Sequence, residues 1–160
     1  MKIAVGSDHR GYEIKEHVKV IAAELGHDSI DCGTNDSNPV DYPDTAYLAA
    51  TTVSKGQADR AILICATGIG MSMAANKVHG IRAALCHDEL SAQVSRDHNN
   101  ANVLCLSGDQ VGEVLLRKMV EVWLNTEFSG GRHQRRVDKI KAIEAGKDPR
   151  EITARAANAK

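Results

Sequence analysis

The sequence predicts an α/β fold, and two observations predict it. Five short runs rich in Ile, Val, Leu, Ala and Cys alternate with segments whose apolar residues recur at helical spacing. Polar and ionisable residues then gather just after those runs, where open parallel sheets bind their ligands. The arrangement this implies is a Rossmann-like, doubly wound three-layer αβα sandwich around a five-stranded parallel sheet. The 160 residues suffice for one domain whose core needs neither disulfide nor metal. That domain is expected over 1–146, with 147–160 as a C-terminal tail.

Each element has a local reason. Lys2–Gly6 is the first strand, too short for the apolar core of a signal peptide. The first helix covers about Glu13 to Leu25: Ile14, Val18, Ile21 and Leu25 share a face, and Gly26 is its stop. Asp28–Cys32 is the second strand, and a helix from about Tyr42 to Lys55 ends at Gly56. Ala61–Cys65 is the third strand; a turn through Gly68-Ile69-Gly70 opens a helix reaching about Lys77. Ile81–Cys86 and Asn102–Leu106 are the last strands, with helices over about Asp88–Asp97 and Val111–Leu124. Gly130-Gly131 then break the chain before a basic helix beginning at Arg132. Its apolar residues, Val137, Ile140 and Ile143, are too few to dock it deeply, so this C-terminal helix is expected to pack on a partner subunit. The tail beyond Gly146 is polar and alanine-rich and is expected to fray or lie on a surface.

Composition removes several functions. A net charge of −1 implies no bulk attraction to nucleic acid or membrane, and 3% aromatic residues give few stacking platforms for single strands. No apolar run approaches the roughly 20 residues of a membrane span. A cytosolic protein is expected. The cysteines at 32, 65, 86 and 105 form no CxxC pair, so no zinc site is expected. Cys32, Cys86 and Cys105 read as small core hydrophobes.

Cys65 is different, because Ala66-Thr67-Gly68-Ile69-Gly70 follows it. A thiol ending a buried strand there meets free backbone N–H groups and a helix start, which favour a thiolate and hold anions. The turn is no complete phosphate loop, since it lacks the lysine, and no GxGxxG is present. Asp8-His9-Arg10 leave the first strand, where three ionisable groups are costly to bury without a role. His98-Asn99-Asn100 set an imidazole among amides, suited to proton transfer at sugar oxygens. Arg132 and Arg136, four apart, share a helix face that suits a phosphate. Tyr42 is placed to stack on a sugar or to cap its helix. Each segment also has a plain structural reading: a buried thiol, a capping aspartate, an asparagine turn, a solvated basic helix.

Taken together and in order over roughly 1–145, these segments resemble the ribose-5-phosphate isomerase B family. The matching motifs are Gly6-Ser7-Asp8-His9 with Gly11-Tyr12, Val40-Asp41-Tyr42-Pro43-Asp44, and Thr67-Gly68-Ile69-Gly70-Met71-Ser72 with Ala74-Ala75-Asn76-Lys77. Further on come Gly80-Ile81-Arg82-Ala83-Ala84-Leu85, His98-Asn99 with Asn102-Val103-Leu104, and Gly130-Gly131-Arg132-His133 with Arg136-Val137. Galactose-6-phosphate isomerase subunits share the fold but match the His98 and Gly131-Arg132-His133 segments less well. The resemblance implies interconversion of ribose 5-phosphate and ribulose 5-phosphate through a cis-enediolate, with no metal or organic cofactor. It implies Cys65 as base, and Thr67 with the amides of Ala66, Gly68, Ile69 and Gly70 as the oxyanion site. His98 would act in ring opening, Asp8 at the sugar hydroxyls, His9, Arg132 and Arg136 at the phosphate, and Asn99 and Tyr42 at the sugar. It also implies homodimers or homotetramers with sites shared between subunits.

Three positions depart from the family pattern. Ala66 stands for a usual Gly, which requires a negative φ there. Asp109 stands where many members carry a phosphate-binding Arg, and Arg10 where many carry Ala. Arg10 is expected either to take over the missing cationic role or to pair with Asp109 across the subunit interface. The alternatives to the pentose reaction are a hexose-6-phosphate isomerase of the same fold (allose- or galactose-6-phosphate) and a non-catalytic phosphate- or nucleotide-binding module.

Overall fold

A computed structural model describes residues 1–153. Five strands, β1 (Lys2–Ser7), β2 (Asp28–Asp31), β3 (Arg60–Cys65), β4 (Ala83–Leu85) and β5 (Val103–Ser107), form one sheet in the order β2-β1-β3-β5-β4. Every pairing is parallel. Six helices accompany it: α1 (Tyr12–Glu24), α2 (Tyr42–Ser54), α3 (Ile69–Ala75), α4 (Glu89–Asp97), α5 (Glu113–Asn125) and α6 (Arg132–Glu144). The alternation read from the sequence is present throughout, with ends moved by at most two residues. None of these helices is long and apolar enough to cross a membrane.

Strand periodicity divides the core in two, because successive side chains face opposite sides of a sheet. Ile3, Val5, Ile62, Ile64, Leu104 and Leu106 pack against α1, α4 and α5, whose Leu116, Met119, Val120 and Trp123 are fully buried. Ala4, Ala61, Leu63, Cys65, Val103 and Cys105 face the other way, against Ala46, Ala49 and Ala50 of α2 and Met71 and Ala75 of α3. One face is thus filled by large side chains and the other by close backbone approach. Gly26 (φ 78) and Gly56 (φ 70) end α1 and α2 in the left-handed conformation expected of helix stops.

The shortened elements have causes. β4 begins only at Ala83 because the Arg82 amide donates to the Asn102 side chain at 2.8 Å instead of to a strand. α3 stops at Ala75 because Asn76 turns its side-chain amide onto both backbone groups of Ala83. The basic helix α6 docks on its own chain along a narrow strip and leaves part of its apolar stripe outside. Val137 and Ala142 are buried within the chain, while Ile140 and Ile143 are exposed, and the Glu144 carboxylate accepts the Gly80 N–H at 2.7 Å. The helix is therefore tied to its own subunit at both ends, through His133 at its start and Glu144 at its finish. The first part of the expected tail is also ordered: Pro149–Glu151 form a 3-10 turn against α6, opened by the Asp148 carboxylate on the Arg150 N–H at 2.8 Å. Residues 154–160 of that tail lie outside the described residues.

Candidate active site

The strand order makes β1 and β3 neighbours whose chains depart to opposite faces, α1 to one and α3 to the other. A cleft opens between their carboxyl ends, the place where doubly wound sheets bind ligands. Asp8 leaves β1 there and Cys65 ends β3. The two loops are in contact: the Asp8 N–H donates to the Ile64 carbonyl at 3.2 Å. A side chain on Gly11 would lie 2.7 Å from that same carbonyl, so only glycine fits.

Cys65 is buried, and its Sγ accepts the Gly68 N–H at 3.1 Å. Gly68 itself sits at φ 74, with Leu85 and the Leu106 carbonyl closing the space where a side chain would stand. The turn is thus held by φ and by packing with its amide aimed at the sulfur. Ala66 fulfils the condition placed on it, since Asn100 is the one non-glycine residue with positive φ among the described residues. Thr67 and Ile69 are exposed around the thiol, with the Thr67 Oγ1 accepting the Ile69 N–H at 3.3 Å. The other three thiols lack this setting: burial pushes Cys32, Cys86 and, furthest, Cys105 up from the ordinary thiol range.

Around the thiol the remaining carboxyl-end residues assemble. The Asp8 Oδ1 accepts the N–H groups of Arg10 and Gly11 at 2.9 and 3.0 Å, fixing the loop. His9 Nδ1 accepts the Val40 N–H at 3.3 Å, so a neutral ring carries its proton on Nε2. The Tyr42 ring lies against Gly70 so closely that a Cβ on that glycine would be 2.6 Å from it. Below the cleft, Lys15 is fully buried and donates to both oxygens of Asp31 at 2.6 and 2.7 Å.

The sequence reading reaches Asp109 after β5 but misses Ser107, because it places the polar signal of this strand before it. Ser107 at its carboxyl end pairs in register with Cys65, and its hydroxyl donates to the Ala66 carbonyl at 2.6 Å. The amides of Gly108 and Asp109 then donate to the carbonyls of Cys65 and Ala66 at 2.8 and 3.2 Å. This brings Asp109 to Arg10, and the two form a 2.7 Å ion pair within one chain. The expected pairing across a subunit interface is thereby corrected: two adjacent loops of the same subunit already hold both residues.

The other candidates are elsewhere. His98 caps the end of α4, and Asn99 leads toward β5 at the opposite, amino edge of the sheet. Arg132 and Arg136, both exposed, occupy the first turns of α6 beside it. β5 runs five residues from this edge to Ser107 beside Cys65, a separation of about 16 Å at the usual strand rise. Within one chain, His98, Asn99, Arg132 and Arg136 do not reach the thiol.

The amino edge is built around arginines, Arg60 and Arg96 buried and Arg82 half-buried. Arg96 donates to the Asn100 side chain at 2.9 Å and to the Ala101 carbonyl at 2.6 Å, and Arg82 to the Asn100 carbonyl at 2.9 Å. Burial, with Arg60 nearby, pulls the Arg96 guanidinium down to about 10. These contacts hold Asn100 at φ 48 and so fix the loop carrying His98 and Asn99. Asn99 lines a groove of about 290 Å³ with Asn76, Arg82 and Ile140.

With this geometry in view, a family model described as Ribose/Galactose Isomerase matches residues 3–140. The chain belongs to the ribose/galactose isomerase family. It is 47% identical over 143 residues to ribose-5-phosphate isomerase B of Escherichia coli (strain K12), covering 89% of this chain and 96% of that protein. The structure of Clostridium thermocellum ribose-5-phosphate isomerase B superposes with a TM-score of 0.90 at 48% identity, over 91% of this chain and 99% of that one. Ribose-5-phosphate isomerase B from Mycoplasma genitalium, solved with bound ribulose-5-phosphate, gives a TM-score of 0.85 at 45% identity, over 90% and 96%. Membership of this isomerase family covers both edges of the sheet: the matched span contains Cys65 and the glycine turn as well as His98, Arg132 and Arg136.

Proposed function

We propose that this isomerase interconverts ribose 5-phosphate and ribulose 5-phosphate, with Cys65 as the base. The observation that carries the proposal is the thiol itself: Sγ accepts a turn amide at 3.1 Å in the cleft between β1 and β3. A binding module has no use for a thiol so placed. In the open-chain aldose the Cys65 thiolate takes the proton from C2. The electron pair forms the C1–C2 double bond, and charge develops on O1 beside Thr67 and the amides of Ala66, Gly68, Ile69 and Gly70. A proton passes from O2 to O1, and the thiol returns its own proton to C1, leaving the ketone at C2. Asp8, through Oδ2, and Tyr42 contact the sugar.

The phosphate and the ring-opening acid come, in this proposal, from a second copy. A pentose phosphate is shorter than the strand separating Cys65 from His98 in one chain, so a homodimer is needed to bring the two together. His98 of the second copy protonates the ring oxygen as its bond to C1 breaks and the C1 hydroxyl releases its proton to solvent. Arg132 and Arg136 of the second copy, with His9 and Arg10 of the first, hold the phosphate, and Asn99 meets the sugar. The pentose phosphate substrate is supported by the relatives, one of them solved with bound ribulose-5-phosphate; the second copy is argued from the separation within one chain alone.

The test is ribulose 5-phosphate formation from ribose 5-phosphate by wild type and Cys65→Ala in parallel. Turnover in the first and its loss in the second is the expected result. Equal turnover in both removes Cys65 from its role. A folded but inactive wild type removes the pentose substrate, and allose 6-phosphate and galactose 6-phosphate are then assayed.

A further inference from the structure

We infer that His133 is a positioning residue for His98, holding the ring-opening imidazole flat against a neutral partner. The inference rests on the isomerase reading above. Two observations carry it, and the first is geometric. The rings of His98 and His133 stack with centroids 4.0 Å apart and planes 8° from parallel. The two come from different elements, the end of α4 and the start of α6, so the contact is made by the tertiary fold. His98 is half-buried, while His133 is 7% exposed and forms the floor beneath it.

The second observation is the hydrogen-bonding state of the lower ring. Arg132 Nε–H faces His133 Nε2 at 3.4 Å, so that nitrogen carries the lone pair and the ring proton sits on Nδ1. Nδ1 is buried without a partner. Protonating the ring would set a second N–H against the Arg132 guanidinium. The charged neighbours agree. Burial first, then His98, Arg132 and Arg136, push His133 below the ordinary histidine range, and Asp97 alone opposes them. His133 therefore stays neutral beneath the half-buried ring of His98.

Asp97 completes the arrangement from the side. Its carboxylate lies 3.3 Å from His98 Nε2 and also accepts the Ser129 hydroxyl. Asp97 fixes the edge of the His98 ring and His133 fixes its face, which together set both the direction and the tilt of the proton donor. An imidazole left with neither would sample other rotamers, and misplacement of a reacting group by about 1 Å costs up to 100-fold in rate.

The experiment compares His133→Phe, which keeps a flat ring without titrating, with His133→Leu, which keeps apolar volume without a stacking plane. Full-length protein is assayed with ribose 5-phosphate, and the His98 ring protons are followed by NMR. The expected result for the leucine variant is kcat lowered about tenfold or more at a KM within about twofold. His98 should also lose the ring-current shift that stacking imposes. The phenylalanine variant should restore both, with kcat within about threefold of wild type. Unchanged kcat in His133→Leu overturns the inference. So does a phenylalanine variant as impaired as leucine with a raised KM, which would make the His133 imidazole a substrate ligand. An inactive wild type overturns the isomerase reading instead, whereas loss of the ring-current shift without loss of rate overturns the positioning role alone.

Discussion

The two edges of the sheet solve the same problem, presenting a few groups at exact places, by different means. The carboxyl edge is built from backbone. Glycines at 11, 68 and 70 let β1, β3 and Tyr42 close on one another, and amides point at Cys65 and tie β5 to its turn. The amino edge is built from long side chains. Arg60, Arg82 and Arg96 reach in to the carbonyls of Trp123, Leu124, Asn100 and Ala101, and His133 underlies His98. Backbone amides fix a developing oxyanion without reorganising, which suits the edge proposed for proton abstraction. These guanidiniums bring positive charge at a desolvation cost, visible in the lowered pKa of all three.

The largest expected effect separates chemistry from packing at the carboxyl edge. Cys65→Ala should lower kcat by about a thousandfold or more. Its thermal unfolding midpoint should stay near wild type, because the substitution removes a single buried atom. Loss of stability in step with activity would make the thiol a core residue after all.

Gly68→Ala addresses the backbone construction itself. At φ 74, with Leu85 2.6 Å from the new Cβ, the left-handed conformation alone costs about 1–2 kcal/mol, and the clash adds to it. Both the melting temperature and turnover should fall. A variant that keeps full activity would show that the Gly68 amide is not part of the site.

A third substitution tests the support beneath that edge. Asp31→Asn leaves the buried Lys15 ammonium without its main partner and should destabilise the fold by about 3 kcal/mol, read from urea unfolding. It carries a pH signature as well. Lys15 and Lys19 hold the Asp31 carboxyl below its ordinary value against the opposing pull of burial. Its contribution is therefore present above the unfolded carboxylate pKa of about 4 and lost as pH falls through the lower folded value. Wild type should lose stability over that acid range, and Asp31→Asn should show a shallower dependence there.

The smallest effect falls at the mouth of the cleft. The Arg10–Asp109 pair is exposed, so Arg10→Ala should shift stability by less than about 1 kcal/mol. If Arg10 serves the phosphate, KM for the sugar phosphate should rise several-fold; an unchanged KM and stability would remove it from the site.

Much of this was legible in the sequence because the signals were local. Helical spacing at Ile14, Val18 and Ile21, glycine stops at 26 and 56, and the buried runs before Cys65 and Gly108 each specify an element by themselves. The carboxyl-edge residues followed, since strand ends in a parallel sheet point one way. What the sequence hid depends on contacts between distant segments. Ser107 reaches the Ala66 carbonyl only through the β3–β5 register, His133 meets His98 with β5 and α5 between them in the chain, and Arg10 finds Asp109 ninety-nine residues away within its own chain. Helix α6 hides its anchors for the same reason: of its apolar stripe only Val137 is buried, and His133 and Glu144 supply contacts that no periodicity announces.

The central claim is that one active site takes Cys65 from one chain and His98 from another, and subunit complementation tests it most directly. Cys65→Ala and His98→Asn chains, each nearly inactive, are mixed in equal amounts, unfolded and refolded together. If sites are shared in a symmetric dimer, half the dimers are mixed and each regains one intact site, so about a quarter of wild-type activity should return. If the mixture stays as inactive as its components although mass spectrometry shows mixed dimers, the two residues do not serve a common site across chains, and the account is wrong.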